Sequence, residues 1–415
     1  MTKKSDAPAI RFKGFSDAWE QRKLGNVANY RRGSFPQPYG KSEWYDGDGA
    51  MPFVQVADVS DEMNLVENTK QKISMLAQPM SVFAGKNTVL VTLQGSIGRV
   101  AITQYGAFVD RTVLIFEKYK EKIDTKFWAY IVKQKFIDEA RKAPGGTIKT
   151  ITKEALSDFD LSIPNYKEQQ QIGTFFKQLD NLITLHQRKF EKLTNVKKSM
   201  LEKMFPQNGS SYPEIRFKGF TDPWEQRKLG ELVDRVVRKN TNNESTLPLT
   251  ISAQYGLVDQ ITYFNNRVAS RDVSNYYLVL NGEFAYNKST SDGYPFGAVK
   301  RLDLYEKGVL STLYIVFAPK KEQQIDSDYL TVFFDTDRWH KGVAERAAEG
   351  ARNHGLLNIS AEDFFDIDLS VPKDIVEQKQ IGAFIRQLDN LITLHQRELE
   401  KLQNIKKSML EKMFV

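Results

Sequence analysis

The sequence contains no cysteine, which excludes disulfide bonds and thiolate metal sites and is typical of a protein from a reducing compartment. It also lacks any uninterrupted apolar run of the roughly 18 residues that a bilayer span needs. The first residues, MTKKSDAPAI, do not include the apolar core of a secretion signal. We therefore expect a cytoplasmic protein without membrane segments.

Several catalytic motifs are missing as well. There is no phosphate-binding Gly-x-x-x-x-Gly-Lys-Ser/Thr loop, no Gly-x-Gly-x-x-Gly fingerprint and no Gly-x-Ser-x-Gly elbow. No proline is followed by proline or aspartate, which excludes the Asp/Asn-Pro-Pro-Tyr motif of amino-methyltransferases and the Pro-Asp start of a common nuclease motif. The four histidines are too few and too badly spaced for a histidine metal site. We predict no catalytic residues and no metal site, with an active site of scattered carboxylates as the alternative.

The size of the chain and its charge set wider bounds. Its 415 residues, 41% of them hydrophobic, are enough for two cores of ordinary size. The 59 Lys and Arg residues outnumber the 52 Asp and Glu residues, and the pI is about 9.1. This excess of positive charge permits a polyanionic partner without demonstrating one.

Two segments of the sequence occur twice. Residues 10–25, IRFKGFSDAWEQRKLG, return as residues 215–230 with only two substitutions, and most positions of residues 169–205 return in residues 378–414. The residues between these repeats differ. The chain is therefore a tandem duplication, in which each half has a shared head, a variable interior and a shared tail.

Each shared tail has the pattern of one long helix. Asn165 with Glu168, and Asp374 with Glu377, form the capping-box pattern, in which both side chains of a pair satisfy backbone N–H groups at the helix start. Apolar residues then recur at steps of three and four, which indicates a coiled-coil seam. The seam residues are Ile172, Phe176, Leu179, Ile183, Phe190, Leu193, Ile381, Ile385, Leu388, Ile392, Leu399 and Leu402.

Two polar residues, His186 and Lys197, interrupt this seam. We interpret His186 and Lys197 as residues that fix the register or reach the rim, rather than as catalytic groups. At about 1.5 Å per residue each helix would be about 60 Å long, which suits a spacer between domains. In the order domain, helix, domain, helix, the two helices run antiparallel, and the last residues should return to the first domain.

These patterns predict an α+β fold. Two similar globular domains are joined by two long antiparallel helices that form a coiled coil, with approximate two-fold symmetry. The predicted segments are residues 1–164 for the first domain, 165–205 for the first helix, 206–214 for a linker, 215–373 for the second domain and 374–415 for the second helix. The linker is rich in turn residues.

The two interiors share a plan although their residues differ. Residues 87–103 and 283–301 are each predicted to form a strand, a turn and a strand, and helices are predicted at residues 125–141 and 328–348. Side chains that suit phosphates and base edges cluster near the turns, often beside glycines. The candidate DNA-binding residues are Gln94, Ser96, Arg99, Arg111, Thr147, Lys149, Asn287, Lys288, Ser289, Arg352, Asn353 and His354.

With these features together, the sequence resembles the specificity subunit of type I restriction–modification systems. The resemblance rests on the WEQRKLG segments that begin at Trp19 and Trp224, and on the repeated QLDNLITLHQR of the tails. The interiors add MPFVQVADVS, LVTLQGSIGRVAI, ISAQYGLVDQ and GARNHGLLNI. The resemblance covers essentially the whole chain, and the duplicated order of head, interior and helix is its most specific part.

The resemblance implies two target-recognition domains, each of which reads one half of an asymmetric bipartite DNA site, with the helices setting the distance between the halves. It also implies a host-defence complex with two methylation subunits and with restriction and motor subunits. Those partners would bind S-adenosylmethionine for DNA methylation, and ATP and Mg²⁺ for restriction. This chain would then hold no cofactor and no catalytic residue. The rival hypotheses are a coiled-coil scaffold with two ligand-binding domains, and an enzyme that acts on DNA alone.

Overall fold

The computed structural model describes residues 7–142, 151, 153–207, 209–252, 255–291, 293–347 and 355–414. The chain divides into two compact units: unit 1 comprises residues 1–188 and 395–415, and unit 2 comprises residues 189–394. Each unit therefore contains one head, one interior, the first half of one tail helix and the second half of the other. The fold class is mixed α and β, as predicted.

Unit 1 is built around two four-stranded sheets, with strand orders β2-β9-β6-β7 and β4-β3-β8-β5, and a separate pair β1-β10. Its strands are β1 Glu20–Lys23, β2 Ala28–Arg32, β3 Met51–Val54, β4 Gln71–Ile73, β5 Val82–Ala84, β6 Val89–Thr92, β7 Val100–Ile102, β8 Ala107–Val109, β9 Val113–Tyr119 and β10 Asp160–Ile163. Its helices are α1 Leu24–Val27, α2 Thr125–Lys142, α3 Lys153–Ser157 and the first half of α4 Tyr166–Lys203. Short 3-10 helices lie at Ser42–Trp44, Val56–Asp58 and Gln78–Met80.

Unit 2 repeats one four-stranded sheet, β12-β19-β16-β17, and has three strand pairs, β11-β20, β13-β14 and β15-β18. Its strands are β11 Glu225–Lys228, β12 Val233–Arg235, β13 Leu249–Ser252, β14 Gly256–Asp259, β15 Tyr277–Leu280, β16 Phe284–Asn287, β17 Ala298–Arg301, β18 Lys307–Leu310, β19 Ile315–Pro319 and β20 Asp368–Val371. Its helices are α5 Leu229–Leu232, α6 Gln260–Phe264, α7 Ser327–Phe334, α8 His340–Arg346, α9 Ala361–Phe365 and the first half of α10 Ile375–Met413.

The head and the tail of each unit are joined by the same ladder. In unit 1, β1 pairs antiparallel with β10, so that Glu20 lies opposite Ile163. In unit 2, β11 pairs in the same way with β20, and Glu225 lies opposite Val371. The variable interior therefore leaves from one strand of a shared pair and returns on the other, which fixes both of its ends in the same way in each unit.

A buried ion pair closes this junction and replaces half of the predicted capping box. Asn165 accepts a hydrogen bond from the backbone N–H of Glu168 at 3.1 Å, as an N-cap should. The Glu168 carboxylate does not return to the backbone of Asn165. It instead accepts two bonds from Arg11 of the head, at 2.9 and 2.7 Å, and is only 1% exposed.

The second copy repeats this arrangement. Asp374 caps the helix through the N–H of Val376 at 2.7 Å. Glu377 accepts bonds from Arg216 at 2.7 and 2.8 Å, and a long one from the indole N–H of Trp224 at 3.4 Å. Because an arginine fork satisfies both carboxylate oxygens, the glutamate serves the tertiary junction rather than the helix start.

The tail helices run antiparallel inside each unit, as predicted. In unit 1 Met413 and Phe414 lie beside the start of α4, and the Phe414 ring is 5.7 Å from the ring of Phe176. The last residues thus return to the first unit, where the N–H of Ile10 donates to the carbonyl of Lys412 at 3.0 Å. In unit 2 Phe205 occupies the corresponding place, with its ring 5.8 Å from that of Trp224.

Polar pairs lie along the seam of both units. In unit 1 the Lys406 ammonium pairs with Asp180, and the Nδ1 atoms of His186 and His395 lie 3.1 Å apart. In unit 2 Lys197 pairs with Asp389 at 2.7 Å, which is the same contact made by the repeated residues. These bonds support the interpretation of Lys197 as a residue that fixes the register.

The helix predicted at residues 328–348 is instead two helices, α7 and α8. Between them, the Thr336 hydroxyl donates to the carbonyl of Phe333 at 2.6 Å, which competes with continuation of the helix. The Asp335 carboxylate accepts from Lys300 at 2.8 Å and pairs with Lys197 at 3.4 Å. The predicted strand–turn–strand elements and the helix at residues 125–141 are confirmed as β6–β7, β16–β17 and α2.

Glu168→Gln tests the junction. A neutral amide leaves the Arg11 guanidinium without its counter-charge, so we expect unit 1 to lose about 2 kcal/mol of unfolding free energy. Urea unfolding followed by circular dichroism measures the effect. Glu20→Gln is the matched control, because it removes the exposed pair with Arg22 and should leave the midpoint unchanged. Equal midpoints for both variants would show that the junction adds no stability.

Lys197→Met tests the charged cluster in unit 2. Burial alone would raise the pKa of Asp335, but the ammonium groups of Lys300 and Lys197 outweigh burial and hold the pKa below its usual value. Because a depressed pKa stabilises the folded state above the unfolded pKa, this stability should be lost as pH falls below about 4. We expect the variant to lower the unfolding midpoint at pH 7. We also expect its midpoint to decrease less than that of the wild type between pH 5 and pH 3, when the midpoint is measured in steps of ~0.5 pH units. Lys192→Met, on the exposed face of the same helix, should change neither.

Candidate nucleic-acid interface

The loop between β6 and β7 presents the first group of candidate residues. Gln94 and Ser96 are exposed at its tip, and the turn is closed by a bond from the Gly98 N–H to the Thr92 carbonyl at 2.9 Å. Gly98 has a positive φ of 84°, and a Cβ there would lie 2.8 Å from the Cβ of Phe136. Glycine is therefore required for the turn, and the turn sets where the two polar side chains point.

Arg111 lies beside this loop. It belongs to the turn between β8 and β9, and the N–H of Leu93 donates to the carbonyl of Thr112 at 2.8 Å, so the two segments are adjacent. Asp110 holds the turn, because its Oδ1 accepts from the N–H of Thr112 at 2.9 Å. Arg111 is exposed and makes no hydrogen bond or ion pair with any residue in the described part of the chain. The structure thus brings Gln94, Ser96 and Arg111 together.

Arg99, in contrast, is already paired. Its Nε lies 2.9 Å from the Asp61 carboxylate, and a second contact of 3.2 Å makes the pair bidentate. The carbonyl of Asp61 also accepts from Lys133 at 2.9 Å. These bonds tie the start of β7 to the loop at residue 61, so Arg99 supports the shape of the turn and presents little free charge.

The candidates of unit 2 lie at the tip between β16 and β17. The Asn287 side chain accepts from the N–H of Ser289 at 3.0 Å, and the Lys288 carbonyl accepts from Leu357 at 3.0 Å. The N–H of Thr290 donates to the Gly355 carbonyl at 2.6 Å. The tip is therefore paired with the residues that follow position 354. Thr147, Lys149, Arg352, Asn353 and His354 lie outside the described residues.

Charge is distributed unevenly around the first group. Residues 68–109 contain Lys70, Lys72, Lys86 and Arg99 but no Asp or Glu, whereas acids make up 52 of the 415 residues of the chain. This stretch includes β4 to β8 and the loop that carries Gln94. A stretch that carries positive charges and no acid favours a polyanion over an acidic partner.

Two residues of this surface were not among the predicted ones. Tyr39 is 48% exposed, and the guanidinium carbon of Arg111 lies 5.8 Å from the centroid of its ring. Gln55 donates from Nε2 to the Tyr39 hydroxyl at 3.1 Å. Gln55 belongs to the quoted segment MPFVQVADVS, but nothing in the sequence indicates that residues 39, 55 and 111 meet. The acid-free stretch points to the neighbouring strands and the loop that carries Gln94, but residues 39, 55 and 111 lie outside it.

Within the described ranges, no three or more His, Asp and Glu side chains are grouped so as to hold a metal ion. No helix in those ranges has both the length and the apolar character that crossing a bilayer requires.

Comparison with known proteins identifies the family. The model of the type I restriction modification DNA specificity domain matches residues 16–195 and again residues 221–404. The chain belongs to this family. Both copies of the family domain start within a shared head and end in a tail helix, so the duplication seen in the sequence is a duplication of that domain.

Individual relatives agree with this assignment. The chain is 23% identical to the type I restriction enzyme MjaVIII specificity subunit of Methanocaldococcus jannaschii, over 94% of this chain and 91% of that protein. Its fold is similar to the crystal structure of the type I restriction–modification system S subunit from M. genitalium, with a TM-score of 0.63, 15% identity and 99% of each chain covered. The relatives are specificity subunits, which is consistent with DNA sequence recognition and offers no support for a scaffold without DNA. The family implies a role in recognition rather than catalysis.

Asp61→Asn tests the part played by Arg99. The change releases the guanidinium, so we expect duplex affinity to rise several-fold for all sequences, and the slope of log affinity against log salt to steepen by about one. Fluorescence anisotropy at a series of salt concentrations measures both. Glu62→Gln removes the same charge from the adjacent residue without freeing Arg99, and should leave the slope unchanged. Identical slopes for the two variants would assign Arg99 to the turn alone.

Proposed function

We propose that this chain is the DNA sequence-recognition subunit of a type I restriction–modification complex, and that each unit reads one half of a bipartite site. The observation that carries the proposal is the family domain found twice on one chain, at residues 16–195 and 221–404. Since the interiors differ, the half-sites differ and the site is not a palindrome. The exposed arginine of unit 1 and the paired tip of unit 2 illustrate how unlike the two reading surfaces are.

The tail helices set the gap between the half-sites in this proposal. α4 has 38 residues and α10 has 39, and each continues without a break from one unit into the other. At 1.5 Å per residue such a helix is about 57 Å long. DNA presents equivalent major-groove faces about 34 Å apart, so a stiff connection accepts half-sites at a fixed separation and on a fixed face.

The partners of the chain follow from the same role. Leu182 and Leu185 are 43% and 46% exposed on unit 1, and their repeats Leu391 and Leu394 are 37% and 53% exposed on unit 2. Exposed apolar residues at repeated positions suit two copies of one protein, and we assign them to two methylation subunits. Restriction and motor subunits complete the complex, which works in the cytoplasm, where the DNA lies.

The chemistry belongs to these partners. We assign S-adenosylmethionine, ATP and Mg²⁺ to the methylation and restriction subunits, and no catalytic residue to this chain. What supports this division is the sequence, which lacks the nucleotide-binding and methyltransferase motifs. The chain would contribute affinity through phosphate contacts and discrimination through base contacts.

Selection from a pool of random duplexes tests the function. The chain, purified with its partner subunits, should select two different fixed sequences separated by a gap of constant length. Binding that shows no sequence preference, or a motif with a single part, would contradict the proposal.

An insertion in a tail helix tests the spacing. Four residues inserted after Gln187 add about 6 Å to α4, so the gap should lengthen by one or two base pairs while both half-sites stay the same. Selection from the same pool measures the gap. Four residues inserted after Ser210, between the tail and the second head, are the control and should leave the gap unaltered. A gap that ignores the helix insertion would remove the helices from the role of spacer.

A further inference from the structure

Unit 1 contains an aromatic layer that the described residues of unit 2 do not repeat. The layer packs on the sheet β4-β3-β8-β5, and its buried members are Phe35, Trp44, Phe53, Ile73, Ala77 and Phe108. The other two cores of unit 1 have counterparts in unit 2, whereas no third core occurs among the described residues of unit 2. If the two units recognise different half-sites, a layer found in unit 1 alone is a reasonable position for residues that recognise its half-site.

Tyr39 stands at the surface of this layer in a fixed position. Its ring centroid lies 4.7 Å from that of buried Phe35. Its hydroxyl accepts from Gln55 at 3.1 Å, and the backbone of Gln55 is itself held, because its N–H donates to the Asp58 carboxylate at 2.8 Å and its carbonyl accepts from the Asp58 N–H at 3.0 Å. The ring is therefore 48% exposed yet supported from below and at its edge.

Arg111 uses this ring as a platform. Its guanidinium carbon lies 5.8 Å from the Tyr39 centroid, and its backbone is fixed in the turn that Asp110 holds. A guanidinium over an aromatic ring keeps the N–H groups at its edge free to donate to a ligand. Because the ring already orients the guanidinium plane, the side chain loses less conformational entropy when it binds. Arg111 forms no ion pair or hydrogen bond within the described residues, in contrast to Arg99 with Asp61.

The surroundings favour DNA as the ligand. The neighbouring loop and strands lie in the acid-free residues 68–109, and the loop itself presents Gln94 and Ser96. A planar fork of fixed orientation matches the O6 and N7 acceptors of guanine in the major groove, which is the commonest specific contact of arginine. A phosphate contact would need charge but no fixed plane.

We propose that Arg111 reads a guanine in the half-site of unit 1, and that Tyr39 is the positioning residue that sets the plane of the guanidinium. This inference rests on the proposed function and goes beyond it, because it names the base and the side chain. Gln55 acts through Tyr39, and none of the three residues has a repeated counterpart in unit 2.

Four variants test the pair in the full chain with its partner subunits. Arg111→Lys keeps the charge but not the fork, and should reduce discrimination at one guanine of the first half-site about ten-fold while non-specific affinity stays within two-fold. Arg111→Ala should lose the same discrimination and also some general affinity. Tyr39→Ala should lose several-fold in discrimination at that same base pair, whereas Tyr39→Phe, which keeps the ring, should retain most of it. Competition with duplexes that carry each base at each position is the readout.

Controls separate this inference from its foundation. Arg271→Ala, an exposed arginine of unit 2, should leave preference in the first half-site unchanged. If the wild-type complex has no bipartite preference, the proposed function fails. If the wild type has that preference and Arg111→Lys retains it in full, the inference alone is overturned. A loss after Tyr39→Ala that is equal at all base pairs would also overturn it, because a positioning residue acts at the base that Arg111 reads.

Discussion

The structure depends on one buried contact made twice, between an arginine of the head and the third residue of a tail helix. Glu168 and Glu377 are each 1% exposed, and each receives both arms of an arginine fork, from Arg11 and Arg216. A carboxylate at a helix start is also favoured by the helix dipole. Because a buried charge that loses its partner is strongly destabilising, this contact restricts how head and tail can be arranged. The strand pairs β1-β10 and β11-β20 then hold the two ends of each interior at a fixed place.

That frame explains how one chain can contain two different interiors. The residues that close each unit are repeated almost without change, whereas the residues between them are free to differ as long as they leave from and return to the same strand pair. The seam follows the same logic, since Lys406 with Asp180 and Lys197 with Asp389 are repeats of one pair. If the heads, tails and strand pairs stay the same, the interior can change, and with it the sequence preference, without a change of fold.

Periodicity was enough to predict the helices and the hairpins, because both depend on residues close in the sequence. The seam residues recur every three or four positions, and seven of the twelve are buried, among them Ile172, Phe176 and Ile385. The capping boxes failed in part because Glu168 has a distant partner, Arg11, that satisfies it better than the adjacent backbone. The helix at residues 328–348 failed because Asp335 and Thr336 make tertiary and local bonds that end α7.

The candidate contact residues were harder to predict, because their partners are also distant in the sequence. Type and loop position selected both Arg99 and Arg111, but only the fold shows that Asp61 neutralises one and that Tyr39 supports the other. An arginine that is already paired must break that pair before it can bind a base, whereas a stacked one with free edges need not. Lysines such as Lys72 and Lys86 of the acid-free stretch suit the phosphates, whose recognition needs charge and little orientation. Discrimination between bases should then come from the few side chains that are exposed, unpaired and held in place. The number of base pairs that unit 1 can read is therefore limited by how many such side chains its aromatic layer can support.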